Sequence, residues 1–360
     1  MKIAVDASSI LVRSAGVKNY VWHWVRAMRA VAGDAAIEAF PFLGDLGPLD
    51  HERSPHGAAG TLWRIAWLYG VNVPGPPWLD WLHPGCAVFH ASNQTRIPPR
   101  RMKLTATVHD LTALILPELH TPGNIGADRG FADRILKRAD GLIAVSENTR
   151  QDAIQRLGIR PERIRTIYSG IPEAFFCAEK LRRPRPYVLF LGTLEPRKNL
   201  DTLLSAWSAL PADVRAAYDL VIAGPVGWAA PATVARVKQE AVYLGYVPED
   251  AVPGLVAGAT AFAYPSLYEG FGFPVAQAMA AGVPVLTSNT SCLPEVAGDA
   301  ALLVDPRSAA EIAAGLARLL TEPSLRERLA AAGPPRAARY RWETCARESL
   351  AYFREIAGVT

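Results

Sequence analysis

Strong charge of either sign is missing from this chain: 38 Lys and Arg stand against 34 Asp and Glu, a net +4 over 360 residues. A nucleic-acid binder carries a continuous basic face with interleaved aromatics, and none is legible here, so nucleic acid is excluded as a partner. The basic residues bunch only in RIPPRRMK (96–103) and LRRPRPY (181–187). These read as solvated surface, with a rim for anionic phosphates or an anionic membrane as the alternative. Cysteine is scarce: Cys86, Cys177, Cys292 and Cys345 lie far apart and form no C-x-x-C pair. The opening segment MKIAVDASSILV enters a strand directly, without a charged leader and apolar core. Reduced thiols in a cytoplasmic protein are therefore expected. With no run of about 18 apolar residues, no membrane-spanning helix is expected either.

Several enzyme signatures are absent as well. The chain holds no G-x-S-x-G, no G-x-x-x-x-G-K-[ST], no H-E-x-x-H and no Asp-x-Asp. Serine-hydrolase, P-loop kinase and metal-clamped diphosphate chemistry lose their support, and neither a metal nor a cofactor is expected. The G-x-G-x-x-G fingerprint is missing too, which weakens a nicotinamide or flavin oxidoreductase reading.

What is present is a globular composition, half hydrophobic and one fifth charged, long enough for two domains of about 150 to 200 residues. Short apolar runs alternate with longer amphipathic stretches: KIAVDAS (2–8), AVFHAS (87–92), LTATVHD (104–110), GLIAVS (141–146) and RIRTIYSG (163–170). After the basic, proline-bearing EKLRRPRP (179–186) the pattern restarts with YVLFLG (187–192), YDLVIAG (218–224), VYLGYV (242–247), ATAFAYPS (259–266), VPVLTS (283–288) and AALLVDP (300–306). This repetition predicts α/β architecture, two Rossmann-like doubly wound domains in tandem, with ligands at the carboxyl ends of the strands and a cleft between the domains. The boundaries are set at 1–178 for the first domain and 179–339 for the second. A C-terminal helix (340–360), with Trp342, Cys345, Leu350 and Phe353 at helical spacing, crosses back to the first domain.

Four stretches can carry chemistry. In EGFGFPVAQAMAAG (269–282), Pro274 and Gly282 bracket a helix over 274–281. Its N-terminal N–H groups, beside Gly270 and Gly272, suit a phosphate, with Glu269 just upstream and Gln277 one turn inside. The alternative is a surface Glu and one buried structural Gln. In FLGTLEPRKNLDTLLSAW (190–207) a polar loop presents Glu195, Arg197 and Lys198 before a helix starting near Leu200. Adjacent cations there suit a diphosphate, Arg as a planar fork and Lys as a point charge, or else form a solvated basic turn. In VHDLTAL (108–114), His109 ends an apolar strand, as a catalytic group or a satisfied structural one. In AGVKNYVWHWVRAM (15–28), Gly16 opens the first helix and allows a ligand close approach. Trp63, Trp67, Trp78 and Trp81 crowd one segment (62–82), as core packing or as a membrane or sugar-stacking face.

Taken in order, VDASSILVRSAGVKNYVWHW, VFHASNQTRIP, TVHDLTAL, AVSENTRQDAI, IYSGIP, LGTLEPRKNL, AGPVGW and LGYVPEDAVPGLVAGATAFAYPSLYEGFGFPVAQAMAAGVPVLTSNTSCLPEVAGDAALLVDP resemble the retaining nucleotide-sugar glycosyltransferases of the GT-B fold, family 4, marked by an E-x7-E motif. The resemblance implies that Glu269, the first motif Glu, contacts donor-sugar hydroxyls while backbone N–H groups around Phe271, Gly272 and Phe273 hold the distal phosphate. It assigns Arg197 and Lys198 to the diphosphate, His109 to the neighbourhood of the donor sugar, Gly16 to the turn near phosphates and acceptor, and Tyr246 and Val247 to the strand end that reads the base. The implied mechanism is front-face attack with the departing phosphate as base. It also implies transfer of a hexosyl or deoxyhexosyl unit to a carbohydrate or lipid-linked acceptor in cell-surface polysaccharide assembly; peripheral contact at the inner membrane face is expected if the Trp-rich and basic segments share a face. GTLEPRKN resembles mannosyltransferase-like members and favours GDP-mannose, with UDP- and dTDP-sugars open.

The chain departs from the family pattern twice. Thr193 stands where many relatives have Arg, and Gln277 stands where the second motif Glu accepts hydrogen bonds from both ribose hydroxyls. Glutamine keeps one acceptor and adds a donor, so it still bridges two hydroxyls. It loses charge assistance, on the order of 1 kcal/mol or roughly tenfold in affinity, and a 2-deoxyribose donor would suffer less from the exchange. These departures motivate the alternative of a noncatalytic sugar-nucleotide-binding or scaffold protein.

Overall fold

A computed structural model describes residues 1–13 and 16–359. Ala15, ahead of the Gly16 turn, lies outside the described residues. The chain divides into two compact units, Met1–Pro117 with Pro122–Gly170 and Arg341–Thr360, and Glu118–Thr121 with Ile171–Tyr340.

The first unit is built on β1 (Lys2–Asp6), β2 (Ile37–Phe40), β3 (Cys86–Ala91), β4 (Lys103–Val108), β5 (Gly141–Ala144) and β6 (Ile164–Thr166), in the order β2-β1-β3-β4-β5-β6. All pairings are parallel. Runs such as GLIA are buried along their whole length, as a parallel sheet covered on both faces requires. The strand β2, IEAF, is not among the expected ones. With four residues and Glu38 in its middle, it has neither a long apolar run nor clean alternation. It pairs only with β1 at the sheet edge, where the Glu38 side chain stays partly exposed.

The second unit holds β7 (Tyr187–Leu191), β8 (Asp219–Ala223), β9 (Val242–Gly245), β10 (Ala261–Tyr264), β11 (Val285–Ser288) and β12 (Ala301–Val304), again all parallel, in the order β12-β11-β10-β7-β8-β9. Counted from β7 this is the doubly wound order 3-2-1-4-5-6, whose strand direction of travel reverses between β7 and β10. Crevices at such a switch point, beyond the carboxyl ends of the strands, are where open α/β sheets bind ligands.

The closing helix, Trp342–Ala357, belongs to the first unit as expected. Trp342, Cys345, Leu350 and Phe353 are all buried. Trp24, from the helix Gly16–Ala32, donates its indole N–H to Ser349 Oγ at 3.0 Å in the buried seam. Gly170 makes room for the start of this helix, since a Cβ there would lie 2.2 Å from the Trp342 backbone nitrogen. Among the described residues, no helix is long and apolar enough to cross a membrane.

Candidate functional site

Two loops leave the strands that flank the switch point of the second unit. The first, from Gly192 to Lys198, follows β7, and the second, from Pro265 to Glu269, follows β10. Two hydrogen bonds splice them together: the Leu267 N–H donates to Arg197 O at 2.8 Å and the Arg197 guanidinium donates to Tyr268 O at 3.1 Å. Asn199, at φ +62, then turns the chain into the helix Leu200–Ser208, and its amide donates to Pro265 O and Pro306 O at 3.0 and 2.6 Å. The geometry of this site is thus set by hydrogen bonds between loops that the parallel sheet brings side by side.

Within it Glu269 is 5% exposed. Its Oε2 accepts from Arg197 Nη1 at 2.7 Å, while Oε1 accepts from Lys198 Nζ at 2.7 Å, Ser266 Oγ at 2.6 Å and Tyr264 Oη at 3.0 Å. Glu195 completes the group, its Oε1 lying 2.9 Å from Arg197 and 3.8 Å from Lys198. Two carboxylates and two cations therefore balance in a nearly dry setting, where an unpaired charge would be very costly. Burial opposes ionisation of Glu269, but Arg197, Lys198 and their hydrogen bonds outweigh it and hold the carboxyl at about 2. Lys198 is shifted downward, first by burial and then by Arg197, with both carboxylates pulling the other way.

Immediately after Glu269 the chain reaches Gly272, at φ +82, which starts the helix Phe273–Ala280. Glycine is needed there twice over, for the left-handed backbone and because a Cβ would lie 2.7 Å from Leu293 Cδ2. The helix begins one residue before the expected Pro274, and its N-terminal N–H groups and positive dipole end open beside the charge cluster in sequence. Phe271 packs edge-on against Phe273 and Tyr340, with ring centroids 5.2 and 5.3 Å away. Gln277 is buried, and among the described residues its side-chain amide has no hydrogen-bond partner. Thr193 sits half-buried in the β7 loop, packed so closely that a Cβ on Gly227 would lie 2.7 Å from its methyl. Tyr246 and Val247 are half-buried directly after β9.

The structure thus joins Arg197, Lys198 and Glu269 in direct contact and adds Tyr264, Ser266 and Ser291, which the sequence reading missed. The Glu269 N–H donates to Ser291 Oγ at 3.1 Å. Tyr264 and Ser266 had a legible signal, polar groups at the carboxyl end of an apolar strand in AFAYPS. Ser291 had none, because only the fold brings β11's trailing loop to this point.

In the first unit, His109 follows β4 at its carboxyl end, its ring edge-on to Tyr20 with centroids 4.8 Å apart. Burial lowers its pKa to about 4 against the pull of Asp110, so the imidazole is neutral at physiological pH. Gly16 heads the helix Gly16–Ala32, and a Cβ there would meet nothing within 4 Å among the described residues, so packing does not demand glycine. Two turns-worth of polar anchoring were missed in this unit. Buried Lys18 donates to Val12 O and Arg53 O at 3.0 and 2.8 Å, with burial bringing its pKa to about 8 against Asp50 and Glu52. Asp6 accepts from Ser92 and Thr95 hydroxyls at 2.7 and 2.6 Å. Among the described residues one group could hold a metal ion: Glu38, His83 and Cys86, whose ligand atoms all lie within 4.8 Å of one another. It sits at the start of β3, the opposite end of the sheet from His109, with the Lys2 ammonium 3.7 Å from Glu38 competing for the carboxylate.

Comparison with known proteins bears on this arrangement. Residues 173–336 match the family described as glycosyl transferases group 1, and residues 15–175 match glycosyltransferase family 4. The O-antigen chain mannosyltransferase B of Escherichia coli is 34% identical over 278 residues, covering 73% of each chain. Among solved structures, sucrose-phosphate synthase from Thermosynechococcus elongatus aligns with a TM-score of 0.74 at 19% identity over 99% of each chain. Anabaena HepE in complex with UDP and glucose aligns with a TM-score of 0.70 at 18% identity, also over 99% of each. At those identities the two structures speak to the fold.

Proposed function

The chain belongs to the group 1, family 4 glycosyltransferases, GT-B-fold enzymes that move a sugar from a nucleoside-diphosphate donor to an acceptor, and from that premise we propose a retaining mannosyl transfer from GDP-mannose. The acceptor is a carbohydrate or lipid-linked intermediate of cell-surface polysaccharide assembly, met in the cytoplasm at the inner membrane face. The observation that carries the reading is the cluster of Arg197, Lys198, Glu195 and Glu269 at the switch point, followed in the chain by the helix N-terminus at Phe273.

In the transfer, the bond between the sugar's anomeric carbon and the phosphate oxygen breaks, and charge develops on the departing diphosphate. Arg197, Lys198 and the N–H groups of Phe271, Gly272 and Phe273 are donors suited to that charge, already oriented before reaction. The acceptor hydroxyl attacks on the same face and gives its proton to the departing phosphate oxygen. The pairing with Glu195 and Glu269 supports this role, because it holds both cations in place without ligand. Glu269 Oε1 has three donors but Oε2 has one, which leaves Oε2 with capacity for a sugar hydroxyl. His109, Gly16, Gln277 and the Tyr246–Val247 strand end are assigned the roles the family resemblance gives their positions, and Thr193 lines the donor site where relatives carry Arg. The mannosyl preference draws on the Escherichia coli relative and on GTLEPRKN.

The test is nucleotide release from GDP-mannose, UDP-glucose and dTDP-rhamnose, with the product anomer read by NMR. GDP should be released fastest, and Glu269→Gln should lower kcat/KM by about 100-fold or more. Faster release of UDP or dTDP would move the donor assignment. Nucleotide binding without release from any donor would favour the noncatalytic alternative.

A further inference from the structure

The helix Ala58–Val71 reverses the usual surface arrangement. Its sequence, AAGTLWRIAWLYGV, holds a single charged side chain, Arg64, and its solvent face is apolar. Leu62 is 67% exposed, Trp63 51% and Tyr69 66%. At 100° per residue, these positions with exposed Ala59, Ala66 and Gly70 span an arc of about 120° that contains no charge. The patch continues along the chain through exposed Val73 to Trp81, 58% exposed in the short helix Trp78–Leu82. A contiguous apolar face of this kind marks an interaction site, whereas scattered single residues do not.

Beside it lies a basic loop held in place by specific bonds. The Arg96 N–H donates to Asn72 Oδ1 at 2.7 Å, just past the helix end, and the Arg100 guanidinium donates to Gly75 O at 3.0 Å. Asp80, on the short helix, accepts the N–H groups of Arg100, Arg101 and Met102 at 2.8, 2.9 and 3.2 Å. Its carboxylate is thereby turned to the backbone while Arg96, Arg100 and Arg101 remain exposed. An apolar face bearing Trp and Tyr, flanked by arginines, matches a bilayer interface: indole and phenol at headgroup level, aliphatic groups at the acyl boundary, guanidiniums against lipid phosphates.

We propose that this face of the first unit seats the protein on an anionic phospholipid membrane, with the helix Ala58–Val71 lying in the interface plane. The inference rests on the proposed function for its purpose, bringing the enzyme to a lipid-linked acceptor, and on the helix and its arginines for its evidence. An apolar protein partner would cover Leu62 and Trp63 equally well, but gives no account of the arginines pinned alongside.

Flotation of the full chain with vesicles decides it. Binding is expected to phosphatidylcholine vesicles containing phosphatidylglycerol, weakly or not at all to phosphatidylcholine alone, and to fall as salt is raised. Arg96→Glu with Arg101→Glu should weaken binding at least about 25-fold, near fivefold per arginine. Leu62→Ser with Trp63→Ser should weaken it at low salt too. Both pairs are exposed and should leave the melting temperature and nucleotide release unchanged. Failure to float with anionic vesicles at low salt, or unchanged binding by both double variants, overturns the proposal, as does self-association abolished by Leu62→Ser. Nucleotide release without flotation sinks only the membrane face; flotation without binding of any nucleotide sugar sinks only the proposed function.

Discussion

Gln277 is the residue at which sequence and structure most sharpen one another. A carboxylate there would restore the family's charge-assisted bond to ribose, but the site is buried and offers the side chain no partner among the described residues. Gln277→Glu should therefore lower the melting temperature of the free protein, since it buries an unpaired charge. It should also raise affinity for GDP-mannose by roughly tenfold, with a smaller gain for a dTDP-sugar that lacks one hydroxyl. Thermal shift with and without each nucleotide measures both effects, and an equal gain for the two donors would dismiss the deoxyribose idea. Arg197 and Lys198 show how far single residues were legible. The loop, the cations and nearby Glu195 were all visible in LEPRKN, and they read as free charges awaiting a phosphate. Their neutralisation by Glu269 was not visible, because that partner is 72 positions away from Arg197 and only the adjacency of β7 and β10 brings it near. Lys18 was hidden differently: a helical lysine is ordinarily solvated, and the loop carbonyls that bury it carry no sequence mark.

At the scale of elements, the apolar runs announced eleven of the strands; the central ones are largely apolar because both their faces are covered, while the edge strands β6, β9 and β12 are partly exposed. The exception, β2, is short, interrupted by Glu38 and confined to an edge, so the physical demand that makes a strand recognisable is relaxed there. The closing helix was legible through Trp342, Cys345, Leu350 and Phe353, but the glycine that admits it was not. Gly170→Ala would place a methyl 2.2 Å from the Trp342 backbone nitrogen and 2.5 Å from its Cα, contacts that no rotamer change relieves. A loss of about 3 kcal/mol is expected, seen as a lowered melting temperature together with a changed near-ultraviolet signal from Trp342. Retention of both would show that the helix shifts without penalty.

For the molecule as a whole, acid stability follows from buried groups in both units. His90, held between the Thr105 and Thr107 hydroxyls at 3.0 Å each, has its pKa lowered by burial, and then by His109, to about 3. Between that value and the ordinary histidine range the unfolded chain binds the proton and the folded one does not, so stability rises with pH and is lost as pH falls below about 6.5. Glu269, depressed to about 2, adds loss of the same sign below about 4.5. Urea unfolding from pH 7 to pH 4 should show the decline, and His90→Gln should flatten it by about 1.4 kcal/mol per pH unit in the acidic part; an unchanged slope would remove His90 from the account.

The return of the Trp342–Ala357 helix to the first unit also orders the birth of the protein. The second unit draws almost all of its chain from an unbroken stretch, Ile171–Tyr340, whereas the first needs residues from both ends. On a ribosome, which delivers the chain from its N-terminus, the unit that begins first is completed last. The indole of Trp24 must wait through synthesis of the entire second unit for its Ser349 partner, so the aromatic seam of the nascent first unit stays uncovered while Ile171–Tyr340 is made.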